Sequence, residues 1–466
     1  MTPVPVGMPK FATTARTALA DPRLRRDLRN TAGARRERSA QAVAATPDWE
    51  ELREAGRAIR DRTLLSLDTY LQELERAVTE AGGTVHWARN AARAGRVITG
   101  LIGRDAEVIT SASPVTREIG LAGALATAGI KASETDLAEL IEGFRASHPD
   151  AASIRELFQR EIPAATAELA EDPAALAEVA RTHLRDRFLS ADVAVCGADF
   201  AIADTGTLVL VEGEGDGRMC LTLPRTLIVV AGLDAVVPSW EDMEVFLQLL
   251  PRASSGDPMS PSVSTWTGLV PGDGPAEFHL VLVDNGRTTA LADEVGRESL
   301  RCIRCTACSA VCPVYERTGA GPYGPVLPGP IGAVLTPQLR GVERAFEASL
   351  PYASTLCGAC ADVCPVKIDI PGLLVHLRGQ VIESRRRRPV PTPEMMLMRT
   401  VAWTMGDRRR YETAMQRTTR GARLLARGGR IKRLPGLLGK WTEARDLPAP
   451  PRESFRAWWR KRDGRS

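Results

Sequence analysis

Cys302-Ile-Arg-Cys305-Thr-Ala-Cys308-Ser-Ala-Val-Cys312-Pro313 is an unbroken C-x2-C-x2-C-x3-C-P run, and a shorter one follows at Cys357-Gly-Ala-Cys360-Ala-Asp-Val-Cys364-Pro365. Steps of two residues let three thiolates converge on one iron-sulfur cube, while the fourth cysteine, set off by a short helical turn, reaches the neighbouring cube. By that spacing Cys302, Cys305 and Cys308 of the first run and Cys364 of the second hold one [4Fe-4S] cluster. Cys312, Cys357 and Cys360 hold three corners of another. Structural zinc sites also use C-x2-C pairs, but two runs that each end in Cys-Pro favour iron-sulfur chemistry.

Aligned on its Cys-Pro end, the second run has Ser354 where a complete run would have a cysteine, and we read Ser354 as an ordinary loop residue. The second centre is then a [3Fe-4S] cluster or a [4Fe-4S] cluster whose fourth ligand is unassigned. An oxygen or nitrogen ligand, Cys196, Cys220 or a partner subunit would complete it. Cys196 and Cys220 lie beside strand-like runs and read first as small buried hydrophobes. Two clusters with interleaved ligands sit close together, so the economical role is electron relay between a donor and an acceptor, with potentials set by burial and hydrogen bonds to sulfur. The alternative is a non-enzymatic redox-sensing or assembly protein that uses the same clusters.

Around this region the chain has 466 residues, 44% of them apolar, enough for several packed domains and incompatible with a fibrous or wholly disordered chain. The net charge of +4 conceals a split: residues 381–466 hold 23 basic and 8 acidic side chains, a net +15, which leaves −11 on residues 1–380. No nucleic-acid role is indicated by the near-neutral whole. Seven of the nine cysteines fall between 302 and 364, which argues against a disulfide scaffold. No export signal is readable near Met1 to Lys10, and no apolar stretch reaches the roughly 18 to 20 residues of a membrane span. The expectation is a cytoplasmic protein.

Residues 1–60 read as an N-terminal helical segment, and residues 61–289 as an α/β domain with an at least partly parallel sheet. Strands are expected at Thr84 to Trp87, Glu107 to Thr110, Val193 to Val195, Phe200 to Ala203, Thr207 to Val211, Thr226 to Ala231 and His279 to Val283. The Ser-, Pro- and Gly-rich residues 254–275 read as a long loop, and Glu212 to Gly217 as a solvated hairpin loop. Residues 290–380 form the helical cysteine module. The Pro- and Trp-containing basic region 381–466 follows a run of four arginines that marks a linker. Glu134 and Asp136 read as acidic residues at a helix start rather than an acid/base pair. His86, His148, His183, His279 and His376 are scattered without metal spacing. The basic tail, with Trp458 and Trp459 as anchors, suits docking on an acidic protein surface, with nucleic acid or peripheral contact to an anionic membrane surface as the other options for the tail.

Several further stretches resemble the lactate-utilisation iron-sulfur protein B family, which has an N-terminal LUD-type domain. They are Asp204-Thr-Gly-Thr207, Gly274-Pro275, Val283-Asp-Asn-Gly-Arg287, Cys312-Pro-Val-Tyr315, Gly329-Pro-Ile-Gly-Ala-Val-Leu-Thr-Pro337, Cys357 through Pro371, and Trp441 to Pro450 with Trp458-Trp459. The resemblance implies an α/β domain like those of CoA-transferases and sugar-phosphate isomerases, then an all-α two-cluster ferredoxin-like module and a helical basic tail. It implies partners, a cysteine-rich redox subunit and a second α/β LUD-type subunit, in oxidising L-lactate to pyruvate. Within that set the chain would be the electron-transfer component and not an enzyme alone. All seven module cysteines map onto family positions. The chain departs from the family pattern at Thr110-Ser-Ala-Ser-Pro114, in place of lysine-serine-methionine, at Gly319-Ala-Gly321, in place of Gly-Gly-His, and at Ala146 to Asp150. These departures bear on any ligand of the α/β domain and not on the cysteines.

Overall fold

The computed structural model describes residues 8–103, 105–135, 151–162, 165, 170, 172–212, 215–260, 262–324, 326–387, 393–443, 445–451, 453–462 and 464. The chain forms two compact units, residues 1–384 and 385–466.

In the first unit a six-stranded sheet is built from β1 (Thr84–Ala88), β2 (Val108–Thr110), β3 (Ala132–Glu134), β4 (Val193–Gly197), β7 (Thr226–Gly232) and β10 (Glu277–Val283). Their order is β1-β10-β7-β4-β2-β3 and every pairing is parallel. The continuous apolar runs explain this: all seven residues of β7 are buried, as a strand covered on both faces requires. Because side chains alternate, Leu227, Val229 and Ala231 pack with Cys196, Leu280 and Leu282 on one face, while Ile228 and Val230 pack with Val195, Val281 and Val283 on the other. A second sheet, in the order β8-β5-β6-β9, contains β5 (Phe200–Ile202), β6 (Leu208–Glu212), β8 (Val236–Val237) and β9 (Ser262–Trp266).

Three local expectations are corrected. The stretch 254–275 is not all loop, since β9 pairs antiparallel with β6 along Ser262 to Trp266 and the Trp266 ring meets Phe278 edge-on at 6.3 Å. Its serines and threonine hid an edge strand whose alternate residues pack inward. Glu134 is the last residue of β3 and not a helix start; its carboxylate accepts from the Ala112 and Thr135 amides at 3.0 Å each. Asp136, His148 and Ala146 to Asp150 lie outside the described residues. Glu212 ends β6 and Asp216–Thr222 is a helix, so the described residues join a strand to a helix and not to a second strand of a hairpin, with Gly213 and Glu214 outside the described residues; the Glu212 carboxylate accepts the Gly217 and Arg218 amides of the helix's first turn.

The N-terminal helices α1 (Phe11–Ala20), α2 (Pro22–Ala44), α3 (Trp49–Leu65) and α4 (Leu67–Glu80) divide between two cores. Asp21 caps α2 by accepting the Arg23 and Leu24 amides, and Pro22 occupies its first turn, where a missing N–H costs nothing. Phe11, Ala15, Ile59 and Leu64 of α1 and α3 bury their side chains with Cys308, Cys360, Cys364 and Tyr323. Leu67, Leu71, Leu74 and Val78 of α4 join the sheet instead. From Arg287 to Arg386 the regular structure of the described residues is all helix and 3-10 turn, including Gly329–Arg340 and Ile370–Arg386, and the latter helix takes in the first two of the four linker arginines.

The second unit holds helices Pro393–Met405, Arg408–Leu425 and Phe455–Arg462 with a short antiparallel ladder of Arg430–Ile431 and Leu447–Pro448. The Arg462 guanidinium lies over the rings of Trp458 and Trp459, 5.3 and 4.2 Å from their centroids. Among the described residues no helix is long and apolar enough to cross a membrane.

Candidate functional site

The cysteine loops use backbone that ordinary residues avoid. Of six non-glycine residues with positive φ among the described residues, four lie here: Arg304 (59°), Thr306 (57°), Leu356 (54°) and Lys367 (51°). Such turns cost of order 1–3 kcal/mol each and persist where function holds them. Their effect is to aim amides at sulfur. The Arg304 amide donates to Cys302 Sγ at 3.3 Å and the Tyr315 amide to Cys312 Sγ at 3.4 Å. The amides of Ala307 and Ile331 lie near Cys305 and Cys308, and those of Ile368 and Val366 near Cys364, where they favour ionised sulfur.

Long-range contacts brace these turns. Arg35 of α2 donates to Thr306 Oγ1 at 2.8 Å, and Arg53 of α3 donates to the Cys364 carbonyl at 2.9 and 3.1 Å. The Ile331 amide reaches Cys308 from the first turn of the Gly329–Arg340 helix, whose partly positive N-terminus suits an anionic acceptor. That start depends on Gly332, where a β-carbon would stand 1.6 Å from the Leu327 carbonyl oxygen. Gly332→Ala should therefore shift this helix start and destabilise the chain by about 2 kcal/mol or more, read as a lower midpoint of thermal or denaturant unfolding.

Cys302, Cys305, Cys308 and Cys364 line a single small cavity of about 20 Å³, walled by apolar side chains such as Ile303, Ile331 and Val366. Burial pushes the Cys302 thiol up to about 11 and the Cys308 thiol well above its ordinary value, because the protein supplies too little positive charge for buried thiolates. Ionised sulfur in this cavity calls for a bound cation, and four converging sulfurs fit an iron-sulfur cube. Among the described residues no three Cys, His, Asp or Glu side chains close on a single-ion site; the thiols surround a cavity instead.

The second group is more open. Cys357 acts on Cys312, and Cys312 and Cys357 both act on Cys360, whose thiol burial pushes up to about 12. Cys357 itself is exposed, and the Ala359 amide and the Thr355 hydroxyl lower its thiol. Ser354 Oγ accepts the Leu356 amide at 3.1 Å and so braces the loop that presents Cys357. Cys196 and Cys220 do not complete this group: both are fully buried in the core of the parallel sheet, on the face that also holds Leu227, Val229 and Leu280, while the module cysteines pack in the other core.

The α/β domain reaches the first group through buried charge. Arg287 is 2% exposed and donates to both oxygens of Glu118, at 2.8 and 2.9 Å, and to Asp234. Asp234 also lies 3.5 Å from Arg304, the residue whose amide meets Cys302. Fully buried Arg60 donates to the carbonyls of Asp234, Val236 and Leu300. In the sequence the Val283-Asp-Asn-Gly-Arg287 run stands out as part of the family resemblance; a basic residue just beyond a buried strand was the available signal for its role. His86 Nε2 and His279 Nδ1 stand 3.2 Å apart on neighbouring strands, a pairing their separation in sequence concealed.

Family models match three stretches: a LUD domain at residues 71–283, a 4Fe-4S dicluster domain at 298–368, and lactate utilisation protein B, C-terminal, at 380–464. The chain is 37% identical to lactate utilization protein B 1 of Bacillus mycoides, over 98% of this chain and 97% of that one. It is 39% identical to lactate utilization protein B of Oceanobacillus iheyensis, over 89% and 88% of the two chains. A crystal structure of a DUF162 family protein from Deinococcus radiodurans covers 47% of this chain and 98% of its own, at 18% identity and a TM-score of 0.29.

Proposed function

The chain belongs to the lactate utilization protein B family, and from that premise we propose that it is the iron-sulfur electron-transfer subunit of a cytoplasmic multi-protein system that oxidises L-lactate to pyruvate. The observation that carries this reading is the division of the seven module cysteines into two adjacent groups, one closed around a cavity and one open at Cys357. Cys302, Cys305, Cys308 and Cys364 would hold a [4Fe-4S] cluster, and Cys312, Cys357 and Cys360 a [4Fe-4S] or [3Fe-4S] cluster. Bound there, the clusters supply reversible one-electron storage. The protein's own part is to exclude water from the first group, to aim amides at the sulfurs and to keep the two groups close. In this reading residues 290–380 act as an all-α ferredoxin-like module. The basic region 381–466 docks on acidic protein, and the partners are a cysteine-rich redox subunit and a second LUD-type subunit.

The test is EPR of the anaerobically purified chain during lactate addition, with and without those partners. Both clusters should become reduced only when lactate and partners are present together. Lactate that leaves every centre oxidised in an intact complex would overturn the substrate. The exposure of Cys357 favours a second reading, a redox sensor; in that case oxidant alone, without lactate, would alter the second centre and the chain's association with its partners.

A further inference from the structure

Tyr323 is 1% exposed, and its hydroxyl has no hydrogen-bond partner among the described residues. Native folds rarely leave a buried hydroxyl in that state without a role for it. The ring is held in place, with Phe11 of α1 edge-on at 5.0 Å and Tyr315 at 6.2 Å. The thiol beside the hydroxyl is Cys312, whose Sγ accepts the amide of the neighbouring Tyr315 at 3.4 Å, and Cys308 is the other thiol that acts on it. Tyr323 is close enough to act on Cys312 as a donor, although it falls short of full hydrogen-bond geometry. A cluster-bound sulfur, carrying more negative charge than a neutral thiol, is the acceptor this hydroxyl lacks.

We propose that the Tyr323 O–H donates to Cys312 Sγ of the second cluster and thereby raises that cluster's reduction potential. The inference rests on the two-cluster reading above. Its sign follows from charge: one-electron reduction places added negative charge partly on sulfur, so a donor stabilises the reduced form more than the oxidised one. Tyr323 is thus a positioning and tuning residue that transfers no proton and undergoes no bond change.

The test is an anaerobic, EPR-monitored redox titration of the full chain and of Tyr323→Phe. Iron and sulfide content should be unchanged, and the midpoint of the second cluster should fall while that of the first stays put. Intact clusters with both midpoints unmoved would overturn the proposal, as would an equal shift in both. Should Tyr323→Phe fail to assemble, replacing the tyrosines of the natural chain with 3-fluorotyrosine strengthens the donor and should raise the second midpoint; no rise would overturn it. A natural chain purified without iron and sulfide would instead sink the two-cluster reading, so the two failures are distinguishable.

Discussion

Cys364→Ser should abolish the first cluster and spare the second, although Cys364 lies in the second motif. Iron per chain should fall by roughly half, since each cluster holds three or four irons. The reason is the fold: Cys364 lines the same cavity as Cys302, Cys305 and Cys308, and Arg53 holds its carbonyl there from α3. Serine keeps the size but binds iron poorly, and three sulfurs remain around a buried space. Cys312→Ser should do the converse, removing the second cluster while leaving the first. EPR and iron analysis of the two anaerobic variants decide the matter; loss of the second cluster in Cys364→Ser would refute the interleaved arrangement. Because metal binding is coupled to folding, Cys364→Ser should also lower the unfolding midpoint more than Cys312→Ser, whose group includes the exposed Cys357.

The second large effect concerns the buried ionic network. Arg287→Ala leaves the Glu118 and Asp234 carboxylates, 4% and 8% exposed, without their main partner. Breaking a buried pair from one side costs about 3–5 kcal/mol, which would consume much of a typical domain's stability. Arg62→Ala, which removes an exposed arginine paired with Asp242, should cost no more than about 1 kcal/mol, so the pair of variants separates burial from charge.

The pH dependence carries its own sign. Despite burial, which opposes ionisation, Arg287 and its neighbours hold Asp234 and Glu118 below the usual carboxylate range. Carboxylates with lowered folded-state values contribute stability that is fully present above the unfolded value, about 4, and is lost as pH falls through the folded one. In Arg287→Ala the same carboxylates are buried without compensation, so protonation relieves the variant. The stability gap between it and the natural chain, read from denaturant midpoints, should narrow as pH falls, beginning above about pH 4, where the uncompensated carboxylates of the variant take up protons, and continuing below it as the natural chain loses its own share. A gap that stays constant from about pH 7 to about pH 3 would contradict this account.

How much was legible beforehand varied with distance along the chain. The buried strands β4, β7 and β10 announced themselves because a strand covered on both faces must be apolar throughout. β9 did not, since an edge strand tolerates Ser262, Ser264 and Thr265, residues equally suited to a loop. Glu134 and Glu212 read as loop or helix-start carboxylates because acidic residues serve several kinds of backbone capping, and only the fold shows which amides they accept. Tyr323 carried no signal at all: one tyrosine in a Gly- and Pro-rich stretch becomes notable only when its hydroxyl is found buried beside Cys312.

The sequence by itself determined the local chemistry, since steps of two and three residues bring cysteines of one run together whatever surrounds them, and the alternation of apolar runs with helices specified a parallel α/β sheet. Tertiary structure alone decided which distant segments share a core. It set α1 and α3 against the cysteine module and α4 against the sheet, with the change at Ser66. It withdrew Cys196 and Cys220 from the clusters, and it ran buried charge from Glu118 through Arg287 and Asp234 to the turn at Arg304. The physical reason is range: ligand spacing is set within one or two turns of backbone, whereas pairings across hundreds of residues follow from which apolar faces are buried together and which charges that burial leaves to be matched.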